Sequence, residues 1–203
     1  SPELFFALKD GRLTTKPMKG TARRLSDDTA DAAARAHLQS DPKQRAENLM
    51  IVDLLRNDLS RICEAGSVKV PDLFRVESYP TVHQMVSTVR AQLLPGRGAA
   101  DMLRALFPCG SITGAPKIRA LEIIQELEPS RRHIYSGAVG YINWWGDTDT
   151  AIAIRTAVIA DGLLHVQAGA GIVYDSKPEL EWQETMNKGR ALFRAVQQAA
   201  QGL

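Results

Sequence analysis

The stretch LFFALKDGRLTT sets two β-prone runs on either side of Asp10-Gly11, and TAVIADGLLHVQA repeats the device around Asp161-Gly162. An Asp-Gly step between such runs favours a type I′ turn, because both turn positions take positive φ. Hairpins near both ends commit the chain to antiparallel pairing. Strict βαβ alternation is missing, and so are the GxGxxG and GxxxxGK[ST] phosphate loops.

Helices are expected between the hairpins. SDDTADAAARAHLQ offers Ser26, Asp27 or Asp28 as N-cap to an alanine-rich run of helix formers. DPKQRAENLMIVDLLRNDLSRICEAG opens on Asp-Pro, carries Leu49, Val52, Leu55 and Leu59 at helical spacing, and is expected to stop at Gly66. SVKVPDLFRVESYPTVHQMVSTVRAQL reads as short strands broken by proline. AADMLRALF and APKIRALEIIQEL read as helices, the second with Pro116 in its first turn. SGAVGYINWW, TAIAIRTAVIA and LLHVQAGAGIV read as strands, and PELEWQETMNKGRALFRAVQQAA as a long closing helix. Hairpin-linked strands with interspersed helices predict an α+β layered domain over residues 1–203, antiparallel sheet packed under helices.

A length of 203 residues suffices for one substantial core. The net charge is +2, and basic residues fall in pairs such as Arg23-Arg24 and Arg131-Arg132, so no nucleic-acid footprint is visible. No apolar run approaches the length of a membrane span, and SPELFFALKDGR lacks the layout of a signal peptide. Cys63 and Cys109 stand far apart without a CxxC pattern, so free thiols in a reducing cytoplasm are expected. A strand-like segment begins almost at once, with no initiator Met, which suggests the C-terminal part of a longer, N-terminally truncated protein.

Several side chains carry chemistry. Glu181 and Glu184 are i and i+3, and Lys188 is i+4 from Glu184, so one helical face presents all three. Taken alone this is a solvated face with a Glu-Lys pair. Glu47 stands on the polar side of its own helix. If the three carboxylates converge, they have the chemistry of a hard-cation site suited to Mg²⁺. Three carboxylates and an anionic substrate would overbalance one divalent ion, so cations are needed nearby, and Arg155 and Lys188 are candidates. Arg155, in AIAIRTAV, is either the solvent-facing residue of an edge strand or a planar fork for a carboxylate. QAGAGIV and CGSITGAPK place permissive backbone beside regular elements, where amides grip anions. Lys19, in TTKPMKGTARR, is either a surface charge or a group with something to act on.

Taken in order, SPELFF, KPMKGTARR, KQRAENLMIVDLLRNDL, GSVKVPDLFRVESYPTVHQMVS, LFPCGSITGAPKIRALEIIQELEP, GAVGYI, DTAIAIRTAV and AGAGIVYDSKPELEWQET resemble the chorismate-binding enzymes. This family makes aminodeoxychorismate, anthranilate, isochorismate and salicylate. The resemblance covers nearly the whole chain. It implies a layered sandwich of two largely antiparallel sheets covered by helices, with a Mg²⁺-dependent chorismate site between them. It further implies that Glu47 and Glu184 bind the metal with Glu181 close by, and that Arg155, Lys188, Thr21 and the backbone of Gly169, Ala170 and Gly171 hold substrate. His83, in PTVHQM, would sit beside the ring hydroxyl that leaves.

The same resemblance gives Lys19 a role. Anthranilate-forming relatives carry alanine in the Pro-Ile-x-Gly-Thr step, and the aminodeoxychorismate branch carries lysine, as Pro17-Met18-Lys19-Gly20-Thr21 does here. Glu47-Asn48 also resembles that branch. The implied reaction joins chorismate and ammonia through a covalent Lys19 adduct, in the route to para-aminobenzoate and folate. Without a Gly-x-Cys-x-Gly glutaminase motif, ammonia would come from solution or from a separate glutamine amidotransferase subunit. The alternatives are anthranilate formation, or an inactive fragment that only binds a partner. Cys109, in FPCGS, departs from the small residue many relatives carry there.

Overall fold

A computed structural model describes residues 2–202. Strands β1 (Leu4–Lys9) and β2 (Arg12–Lys16) form the first hairpin, and Asp10 and Gly11 take φ of 50° and 73°, as a type I′ turn requires. β3 (Met18–Arg23) follows a bend at Pro17. Helices α1 (Asp28–Ser40) and α2 (Pro42–Ser60) start on the side chains of Asp27 and Asp41, which accept from the amides of Ala30 and Gln44. The segment expected to hold short strands forms two long ones, β4 (Lys69–Ser78) and β5 (Val82–Gln92). α3 (Ala99–Leu106), the single turn α4 (Gly110–Thr113) and α5 (Lys117–Leu127) lead to β6 (Ala138–Ile142) and β7 (Thr148–Ile152). β8 (Ala157–Ala160), β9 (Leu163–Val166) and α6 (Pro178–Ala200) complete the chain.

All strand pairs are antiparallel. The main sheet runs β3-β5-β2-β1-β7-β6, with β4 along the other edge of β5. The second sheet is the β8-β9 ribbon, turning through Asp161 and Gly162 at φ of 52° and 75°. Pro71 is accommodated because β4 is an edge strand and the residue falls in the register shift between Lys69 and Asp72, where the ladder is interrupted.

The core lies where α2 meets the sheet. Ile51, Val52, Leu55 and Leu59 pack with Phe5, Phe6, Leu13, Val89, Met102, Leu106 and Ile152. Burial of each such side chain contributes roughly 1.5–3 kcal/mol. The stripe differs from the expected one at its start, since Leu49 is exposed and Asn48 takes the inward position. α2 also ends at Ser60, ahead of Gly66; Arg61 to Gly66 turn back so that Cys63 bridges Leu93. Both cysteines are free and buried, and desolvation pushes the Cys63 thiol up to about 11 and that of Cys109 to about 12. Lys117 donates to Asp58 at 2.5 Å and to the Leu106 carbonyl at 3.0 Å, tying α5 to α2. Pro116, expected in the first turn, is the N-cap residue of α5.

Expected strand TAIAIRTAVIA is broken. β7 ends at Ile152 and β8 begins at Ala157, with Arg155 at φ 52° in the bend between them. Similarly, β6 stops at Ile142 before an Asn143–Asp147 turn, and β9 stops at Val166 before an irregular run that contains Gly169 to Gly171. In β6, a Cβ at Gly140 would overlap the Asp149 carbonyl oxygen and lie 2.7 Å from Thr150 Cα. Gly140→Ala is therefore expected to cost about 2–3 kcal/mol, read as a lower urea midpoint for the full-length polypeptide with an unchanged slope.

Candidate active site

Lys19 owes its position to the local sequence. The Ser87 amide donates to the Pro17 carbonyl at 3.1 Å, which fixes the start of β3 on β5. A register shift between Met18 and Thr21, with Gly20 at φ 93°, then re-aims the strand. A side chain at Gly20 would crowd Gln44 and Leu38 at 3.0–3.2 Å, so glycine is required on both counts. The Lys19 ammonium reaches across to α4 and donates to the Ser111 carbonyl at 2.9 Å.

Beside it stands a carboxylate that motif reading passed over. Glu3 is only 5% exposed, and its Oε1 accepts from the Met18 amide at 3.3 Å. Burial pushes its pKa up, opposed by the Ser111 hydroxyl, the Lys19 ammonium, the Met18 amide and Lys188. The Ser111 hydroxyl is itself buried and makes no hydrogen bond of good geometry. The available signal was a lone carboxylate directly ahead of the apolar run LFFAL, where a charge has no solvent to face.

Glu47, on the exposed shoulder of α2, is half-buried. Desolvation raises its pKa; Glu184 and Glu181 add to the rise, while Lys43 and Lys19 oppose it. Glu181 and Glu184 on α6 therefore act on Glu47 through space. Their spacing is looser than a ligand set: among the described residues, no three His, Cys, Asp or Glu side chains stand close enough to hold a metal ion. Glu184 is instead bonded to Lys188 at 2.5 Å, and Lys188 also donates to the Gly169 carbonyl at 3.0 Å. That carbonyl is thereby occupied. Arg155 lies within the fields of Tyr135 and Glu184, and desolvation lowers its pKa against both. A Cβ at Gly169 would lie 3.0 Å from the Tyr135 hydroxyl, so this loop passes the same tyrosine. Ala170 lines a cavity of about 370 Å³ with Ile172, Pro178, Glu181 and Trp182.

Two further expected site residues, Thr21 and His83, lie on or beside β5 with partners of their own. Thr21 donates to Gln84 Oε1 at 2.8 Å, while Gln84 Nε2 donates to the Gly20 carbonyl at 2.7 Å. Gln84 is thus the β5 side chain that touches the lysine step. His83, its neighbour, points to the opposite face by strand alternation and is 2% exposed beneath α1, with both ring nitrogens engaged by Asp31 and Ser78. The structure does not bring His83 to the Lys19 cluster.

A half-buried lysine near a buried carboxylate, with acidic and basic side chains of a second helix in the same field, is equipped to bind a polyanionic acid and to move protons and an amine at it. Comparison with known proteins agrees. The model of the chorismate binding enzyme family matches residues 1–194. Anthranilate synthase component 1 of Pseudomonas aeruginosa is 54% identical over the whole chain, which covers 41% of that protein. Aminodeoxychorismate synthase component 1 of Klebsiella aerogenes is also 54% identical, over 97% of this chain and 44% of its own. Among solved structures, anthranilate synthase component I from Streptococcus pneumoniae superposes with a TM-score of 0.85 at 45% identity, covering 94% of this chain and 42% of that one. The menaquinone-specific isochorismate synthase of Escherichia coli reaches the same TM-score at 28% identity over 95% of this chain and 44% of its own. The chain belongs to the chorismate-binding enzyme family. It spans about two fifths of the length of these relatives. No helix among the described residues is long and apolar enough to cross a membrane.

Proposed function

We propose that the intact polypeptide is the chorismate-aminating component of an aminodeoxychorismate synthase, converting chorismate and ammonia to 4-amino-4-deoxychorismate for para-aminobenzoate and folate. The observation that carries this reading is the Lys19 amine, held on the Ser111 carbonyl within the fields of Glu3 and Glu47. Relatives of both activities match equally well, so the lysine is what decides between them. The reading includes a cytoplasmic protein that receives ammonia from a separate glutamine amidotransferase subunit.

Unprotonated, the Lys19 amine adds to the ring carbon next to the ring carboxylate, and the hydroxyl leaves with an allylic shift. Glu3, whose hold on its proton burial strengthens, gives that proton to the hydroxyl. Ammonia then adds at the carbon that lost the hydroxyl, and a second shift expels the lysine. The amine ends where the hydroxyl began, which direct addition of ammonia at the carbon beside the carboxylate does not achieve. Arg155 and Lys188 hold the substrate carboxylates, the Gly169–Gly171 backbone and Thr21 line them, and the Gln84 amide steadies Thr21 and Gly20.

Glu47, Glu184 and Glu181 suit Mg²⁺ in chemistry, being all-oxygen donors whose mutual repulsion a divalent cation relieves. Bound there, the ion would draw electron density from the ring carboxylate. Chelation is expected to abolish the thermal stabilisation by chorismate, which at a hundredfold excess over Kd amounts to about 2.7 kcal/mol. Mass spectrometry of the product from chorismate, Mg²⁺ and ammonium tests the whole reading. Anthranilate would overturn the aminodeoxychorismate assignment within the family. Absence of both product and chorismate-dependent stabilisation would instead support a partner-binding role.

A further inference from the structure

The face of β5 turned away from the lysine step carries its own arrangement of groups. His83 Nε2 lies 3.0 Å from Asp31 Oδ1 on α1, and His83 Nδ1 lies 2.9 Å from Ser78 Oγ on β4. The Asp31 carboxyl is held below its ordinary range, chiefly by the Leu25 amide that donates to it, against desolvation, with His83 and Arg24 adding to the effect. An ionised carboxylate can only accept a hydrogen bond. Nε2 therefore carries a proton, and in the neutral imidazole Nδ1 turns its lone pair to the Ser78 hydroxyl. That is the electronic arrangement of a serine paired with a general base and an orienting acid, with the two ring nitrogens exchanging roles.

Access and charge favour reaction at this serine. Ser78 is the cross-strand partner of His83 at the end of the β4-β5 hairpin, and it is exposed while His83 is buried. Arg24 bridges Asp31 through Nε at 2.8 Å and donates through Nη1 to the Tyr79 carbonyl at 3.0 Å. Its positive charge is thus held on the residue that follows Ser78 in the chain. Nothing in the chorismate chemistry uses these groups.

We propose that Ser78 is an activated nucleophile that accepts an acyl group from an activated ester, with His83 as its base and Asp31 as the positioning residue. Ser78 Oγ bonds to the acyl carbon as the ester C–O bond breaks. The hydroxyl proton passes to His83 Nδ1 and from there to the departing alkoxide, so no oxidant or further reactant is consumed. Chorismate turnover does not depend on it, and Ser78→Ala leaves that activity unchanged.

A fluorophosphonate probe on the full-length polypeptide tests the proposal, since its P–F bond is exchanged for an Oγ–P bond at activated serines. Peptide mapping is expected to show Ser78 modified at least about tenfold faster than exposed Ser130, a modest share of general-base acceleration. His83→Gln is expected to bring Ser78 down to the Ser130 rate. Parent protein in which Ser78 reacts no faster than Ser130 overturns the proposal, whatever the folding of the His83 variant. Fast labelling that survives His83→Gln in a folded protein overturns it too, and assigns the network a purely structural role of clamping α1 to the hairpin.

Discussion

Lys19→Ala in the full-length enzyme is expected to lower formation of 4-amino-4-deoxychorismate by at least about 10³-fold, some 4 kcal/mol of barrier at 1.36 kcal/mol per decade. The variant should fold normally, because Lys19 makes one hydrogen bond, to the Ser111 carbonyl, at a half-buried position. Chorismate binding, read as thermal stabilisation, should persist, since the carboxylate-holding groups are elsewhere. Product analysis gives the sharper readout. With the nucleophile gone, remaining amination is expected at the carbon beside the ring carboxylate, giving the ortho rather than the para amine. Undiminished para amination would remove the covalent step from the mechanism.

Glu3→Gln is expected to lower kcat by about 10²–10⁴-fold, the range for loss of a positioned proton donor. Its pH behaviour separates this role from a packing role. Because burial raises the native pKa of Glu3, the folded state keeps a proton that the unfolded chain has released above roughly pH 4.3. The contribution to stability is present below the unfolded pKa and is lost as pH rises through the native one. Glutamine cannot ionise, so that slope should vanish in the variant. Urea unfolding from pH 4 to 8 should show the parent losing stability relative to Glu3→Gln as pH increases. The alkaline fall in rate that reflects Glu3 ionisation should vanish as well. A parallel stability profile would show that Glu3 ionises in both states alike.

Local signals carried the turns and helix starts. Asp10-Gly11, Asp161-Gly162, Asp27 and Asp41 act through backbone dihedrals and caps a few residues long, and these appear where expected. Strand lengths and faces were less legible. LLHVQAGAGIV has the composition of a strand, yet only Leu163–Val166 pair, because glycine supplies no side chain to hold a pleated surface. Leu49 fits helical spacing yet is exposed, because Asn48 turns inward to accept a hydrogen bond from Ser87. His83 and Gln84 show the same limit at the site. Neighbours on one strand face opposite layers, and motif position alone does not say which layer holds the substrate.

By itself the sequence determined the α+β class, the antiparallel pairing, the family and the lysine in its glycine-flanked step, all of which are written in contiguous residues. Tertiary structure decided which charges share a space. Glu3 and Lys19 are brought together by the bulge in β3, Glu47 falls within the field of Glu181 and Glu184 far along the chain, and Ser78, His83 and Asp31 are brought together by α1 lying over a hairpin. The physical reason is that electrostatics and desolvation act through distance in space. A carboxylate's partners and burial arise only once strands and helices far apart in the chain have packed.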